Sequence, residues 1–100
     1  MHSDSETSAT GGEEKALQQL LLFVTQSMAD HPTEVEVQFI SDEDGEAFEI
    51  RANPEDLGRI IGKNGQTARA LQLIVNANAR KTGRRYQLDI VGTDEDLDEE

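Results

Sequence analysis

A chain of 100 residues without cysteine has room for one folded domain and excludes both a disulfide framework and a thiolate metal site. His2 lies in a polar terminal segment and His31 precedes Pro32 at a predicted helix end, so neither is read as a ligand or a base, and no metal or cofactor is expected. A formal net charge of -12 argues at first sight against a nucleic-acid partner, because polyanion binding is driven by phosphate neutralisation and counterion release.

In chain order, Met1 to Gly12 is a polar, acidic extension with almost nothing to bury, and disorder is expected there. The folded unit is predicted over residues 13–91. Leu17, Leu20, Leu21, Val24 and Met28 recur at the spacing of one helical face, closed by Asp30-His31-Pro32 because proline cannot continue the ladder. The apolar run Leu20 to Val24 is too short to span a bilayer and follows Glu13 and Glu14 rather than a basic segment, so neither a signal peptide nor a membrane span is expected. Val35, Val37 and Phe39 alternate with polar residues as a half-buried strand. Ser41 to Gly45 is turn chemistry, and Phe48, Ile50 and Ala52 form the return strand.

Asn53-Pro54-Glu55-Asp56 is a helix start, with Asn at the N-cap, Pro at the first position and acids in the positively polarised first turn. A short helix through Leu57, Ile60 and Ile61 must stop near Gly62. A longer one is predicted from Gln66 to Lys81, with Leu71, Ile74, Val75 and Asn78 on one face and Gly83 beyond its end. Tyr86, Leu88 and Ile90 mark a last strand, and Tyr86 and the phenylalanines are read as core or sheet residues. Gly92 to Glu100 reads as a disordered acidic tail. The order α-β-β-α-α-β places the last strand after a crossover expected to be right-handed.

Charge is divided along this order. From Leu57 to Leu88 there is no Asp or Glu, while Arg59, Lys63, Arg69, Arg80, Lys81, Arg84 and Arg85 all fall there, and the 21 acids lie outside with Lys15 and Arg51. An anionic ligand is the simplest cause. Inside this window, Gly62-Lys63-Asn64-Gly65 joins two helices. Its glycines remove side chains from both shoulders, so a sugar-phosphate backbone could approach the main chain closely. Lys63 adds a point charge, and the free N–H groups at the start of the helix from Gln66 form an anion site flanked by Arg59 and Arg69. Ile60 and Ile61 are expected to floor it for unstacked bases. It is not a P-loop: the glycine spacing is one residue short and Asn64 replaces the Ser or Thr that would hold magnesium. A dinucleotide fingerprint fails too, lacking a third glycine and a preceding strand.

The run from Leu57 to Leu71, with Ile61-Gly62-Lys63-Asn64-Gly65 at its centre and Gln66, Thr67 and Arg69 beyond, resembles the I-G-K-x-G core of KH domains. The element order matches the type II arrangement. Asp30-His31-Pro32 followed by Val35-Glu36-Val37 also looks like the N-terminal half of the KhpA family of small bacterial single-KH proteins. The resemblance covers about Lys15 to Val91. It implies an α+β fold with a three-stranded mixed sheet packed against three helices. It also implies a non-catalytic, cytoplasmic RNA-binding protein, working as a homodimer or with a second KH-containing partner, and linked to RNA chaperoning, post-transcriptional control and cell shape. The acidic extensions depart from the family and could compete with RNA for the basic window.

Two functional classes follow. One is a binding module that clamps about four nucleotides of single-stranded RNA. The other is a protein-interaction adaptor, suggested by Leu22 and Phe23 lying opposite the Leu17 and Leu21 face, since a helix apolar on both sides must bury both. An enzyme is the weakest option, because no nucleophile-base pair, metal cluster or carboxylate dyad stands out.

Overall fold

Alternating apolar residues on either side of the Asp42 to Gly45 turn close into an antiparallel hairpin, β1 (Glu36–Asp42) and β2 (Gly45–Ala52), in the computed structural model, which describes residues 12–93. The disorder expected of residues 1–11 and 94–100 lies outside the described residues. A third strand, β3 (Tyr86–Gly92), adds parallel to β2 and completes a sheet of order β1-β2-β3. It extends one residue past the predicted boundary: Gly92 pairs with Ala52 and is buried, so it belongs to the sheet rather than to the tail. The register aligns Val37 with Ile50 and Ile90, and Phe39 with Phe48 and Leu88.

Parallel neighbours cannot be joined by a tight turn, so the chain between β2 and β3 crosses over through α2 (Leu57–Ile61) and α3 (Gln66–Thr82). With α1 (Glu13–Met28) these helices pack on the sheet face that carries Val37, Phe48 and Ile50. This is the expected α+β arrangement of a three-stranded mixed sheet against three helices. Leu17, Leu21, Leu71, Val75 and Tyr86 close the main core, and each large apolar side chain taken fully out of water stabilises the fold by roughly 1.5–3 kcal/mol.

Both long helices fully bury a stripe turned from the one their hydrophobic pattern predicts, although Val24 and Met28 of α1 pack half-buried against the core as expected. In α1 the stripe is Leu17, Leu21 and Thr25, while Leu20 is 41% exposed. Thr25 tolerates complete burial because its hydroxyl donates to the Leu21 carbonyl at 2.7 Å, leaving the methyl group and the methine carbon to the core. In α3 the stripe is Leu71, Val75 and Ala79, and Ile74 and Asn78 turn outward. Gly83, with φ +73°, ends α3 as predicted, and the Arg84 amide donates back to the Ala79 carbonyl at 2.9 Å.

The aromatic expectation holds in the sheet and fails on α1. Phe39, Phe48 and Tyr86 form one cluster with ring centroids 5.1–5.7 Å apart. Phe23 is instead 69% exposed. Leu22, read with it as a second apolar face, packs against both core clusters, so the outward apolar pair on α1 is Leu20 and Phe23.

Candidate nucleic-acid interface

The segment that leads into the basic window is anchored before it turns. Asn53 accepts the Glu55 amide at 2.8 Å, as an N-cap should, and Pro54 opens a 3-10 turn, Pro54–Asp56, that runs directly into α2. Sequence patterning gave Asp56 only a place in the first turn. It is in fact completely buried, and its two carboxylate oxygens accept the backbone N–H groups of Asp30 and His31 at 2.9 and 3.0 Å. Those amides follow the end of α1, so one carboxylate ties the start of the helix that carries the turn to the end of α1. Nothing in local spacing signals a contact between residues so distant in sequence.

Burial alone would push the Asp56 carboxyl up. The two N–H donations, helped by the charges of His31 and Arg59, outweigh it and hold the group below its ordinary value. His31 is shifted the opposite way. Its ring nitrogen lies 3.0 Å from Glu55, and that hydrogen bond chiefly raises its pKa above 6.5, against a smaller opposing effect of desolvation and with help from Asp56 and Glu34.

Helix α2 lasts five residues because Gly62 follows with φ 83° and ψ 166°, a conformation open essentially to glycine alone. Lys63–Gly65 then forms a 3-10 turn, in which Asn64 (φ 57°, ψ 24°) and Gly65 (φ 73°, ψ 16°) are both left-handed. Asparagine is among the few residues with a side chain that visit this region readily, which explains Asn64. No side chain caps the first turn of α3, leaving that positively polarised end without an acid. One amide expected to face an anion is engaged, since the Gln66 N–H donates to the Lys63 carbonyl.

Around this turn Lys63, Asn64 and Gln66 are exposed, and Ile61, Gly62, Gly65 and Thr67 are half-buried. Arg69 reaches back over it, placing a guanidinium nitrogen 3.5 Å from where a β-carbon on Gly65 would stand. Arg59 is exposed but engaged with Asp30 at 3.1 Å. An exposed pair of this kind is worth about 0–1 kcal/mol and leaves the guanidinium exchangeable. Ile60 is a correction: it is fully buried with Val35 and Ala52, so it supports the turn from inside and cannot meet a base, leaving Ile61 as the accessible isoleucine. Among the described residues, Lys63, Arg69, Arg80, Lys81 and Arg85 have no carboxylate at ion-pair distance, whereas Arg84 is held by Glu14 and Glu46.

Comparison with known proteins places most of the folded unit in one family. Residues 18–90 match the family described as KhpA/KhpB, KH domain. The chain is 48% identical over 71 residues to the RNA-binding protein KhpA of Leifsonia xyli, a stretch covering 71% of this chain and 91% of that relative. It is 38% identical over 73 residues to the RNA-binding protein KhpA of Borreliella burgdorferi, covering 73% and 89%, and 39% identical over 72 residues to that of Halalkalibacterium halodurans, covering 72% and 95%. No solved structure matches the chain.

Proposed function

The chain belongs to the KhpA/KhpB KH-domain family, and on that premise we propose that it is a non-catalytic protein that binds single-stranded RNA at the Gly62 to Gly65 turn. About four nucleotides lie against the turn, the number a KH loop clamps. Lys63 and Arg69 meet phosphates, Arg59 joins them when phosphate displaces Asp30, and Ile61 offers apolar surface to an unstacked base. Asn64, Gly65, Gln66 and Thr67 supply the main chain along which the sugar-phosphate backbone runs. The observation that carries this reading is the conjunction at one point of a left-handed turn, a helix start and two cations, Lys63 and Arg69, with neither a capping side chain nor an acid partner among the described residues. With few aromatic groups, phosphate and base-edge contacts bear most of the binding. Such a module would act in the cytoplasm as an RNA chaperone or post-transcriptional regulator. No helix among the described residues is long and apolar enough to cross a membrane.

In-cell crosslinking followed by sequencing of the bound RNA tests this, comparing the native chain with the variant carrying Lys63→Asp and Asn64→Asp. Specific RNA recovery that the double change removes supports the reading. Equal recovery from a folded variant contradicts it.

The outward Leu20 and Phe23 favour a second reading, in which α1 pairs with another copy of the chain or with a second KH-containing protein. In that case partner contacts matter more than the RNA surface does.

A further inference from the structure

Between α3 and the start of β3 lies an open groove of about 510 Å³, lined by Gln72, Asn76, Arg80, Arg84, Arg85 and Gln87 among others, with no acid among the described residues of its walls. Its charge is unevenly committed. Arg84 is tied to Glu14 and Glu46, but Arg80 and Arg85 have no carboxylate partner among the described residues. Arg69, Gln72, Asn76 and Arg80 follow one another at three- and four-residue steps, so they form a single stripe along α3. That stripe begins with the guanidinium lying over Gly65 and ends in the groove. Gln72 ties the two walls together, donating to both Asn76 at 3.0 Å and the Tyr86 carbonyl at 3.2 Å.

We propose that the RNA track continues from the Gly62 to Gly65 turn along this stripe into the Arg80 and Arg85 groove, so that the protein holds eight or nine nucleotides rather than about four. The proposal rests on the RNA-binding reading above and adds its length and direction. At 1.5 Å per residue, Arg69 and Arg80 are about 16 Å apart along the helix axis. A stacked strand advancing about 3.4 Å per nucleotide needs roughly five nucleotides to cover that distance. The amide side chains of Gln72 and Asn76 lie between the two cations, where they offer hydrogen bonds without fixing a sequence. The track has a physical end. Past Arg85 the next hollow is walled by Asp42, Asp44, Glu46 and Asp89, which repel further phosphates.

Fluorescence anisotropy with labelled random-sequence RNA of four and of ten nucleotides tests this in the full chain, using the variant Arg80→Gln with Arg85→Gln. Salt dependence is the readout, because a longer oligonucleotide offers more binding registers and gains apparent affinity without any new contact. Two additional phosphate contacts steepen the slope of log K against log salt by about 1.4 for a single strand. The wild-type decamer slope should exceed the tetramer slope by that amount. The double change should remove the excess and leave the tetramer unaffected, since near 0.15 M salt a charge about 16 Å away is screened over a Debye length of about 8 Å. Equal decamer slopes for wild type and variant, or equal losses on both lengths, overturn the extension alone. Wild-type protein that binds neither length overturns the RNA reading and the extension with it.

Discussion

Thr67 packs so tightly beneath Gly62 that a β-carbon on residue 62 would stand 2.8 Å from both the Thr67 β-carbon and its amide nitrogen. The turn is therefore shaped from below as well as by its own backbone. Gly62→Ala adds this collision to a backbone conformation that costs about 1–3 kcal/mol without glycine. At Gly65 a β-carbon meets nothing closer than the flexible tip of Arg69 at 3.5 Å, so Gly65→Ala costs only the left-handed strain, about 1–2 kcal/mol. Urea denaturation should rank the two variants in that order.

Asp56 supplies the pH dependence. Because its native pKa lies below the ordinary 3.8, its contribution to stability is complete above that pH and is lost as pH falls through the native value. Asp56→Ala leaves the Asp30 and His31 amides without acceptors, and its thermal midpoint at neutral pH should fall further than that of Gly65→Ala. His31 works in the opposite sense: its raised pKa makes its contact with Glu55 stabilising below about pH 6.5 and lost as pH rises through the native value. Thermal melts of wild type and Asp56→Ala across acid pH check the first sign, and the variant's acid limb should be the flatter.

The acidic end of the chain makes an electrostatic prediction. Removing residues 94–100 deletes six carboxylates, so RNA affinity should rise at low ionic strength. The gain should disappear near 1 M salt, where the Debye length is about 3 Å. Anisotropy titrations of the full and shortened chains at the two salt concentrations measure this.

Phe23 separates partner pairing from RNA binding. Since it is 69% exposed, Phe23→Glu should change stability by no more than about 0.5 kcal/mol and leave RNA titrations unaltered. Sedimentation should show loss of any self-association that α1 mediates.

Much of this arrangement was legible in the residues before any coordinate. Strand alternation, the Asn53-Pro54 start, the Gly83 stop and the position of the turn all followed from local chemistry, because each is decided within a few residues. What local reasoning missed is tertiary. Thr25 is polar, yet with its hydroxyl on the Leu21 carbonyl it joins the buried stripe of α1 in place of Leu20. Which of Ile60 and Ile61 faces inward depends on Val35 and Ala52. The buried Asp56 and the Gly62 contact with Thr67 involve partners that no periodicity pairs. Arg80 and Arg85 were visible as charge, but only the packing of α3 against β3 places them on the walls of one groove.

The most direct test of the central claim is an equilibrium RNA titration of wild type and the Lys63→Asp, Asn64→Asp variant at several salt concentrations. Both side chains are exposed, and aspartate tolerates the left-handed backbone at residue 64, so the fold should survive and circular dichroism will verify it. For a short RNA, neutralising about three phosphates gives a wild-type slope near -2 in log K against log salt. The account predicts that slope, together with loss of binding in the folded variant. A folded variant that binds RNA with wild-type affinity and slope would contradict it.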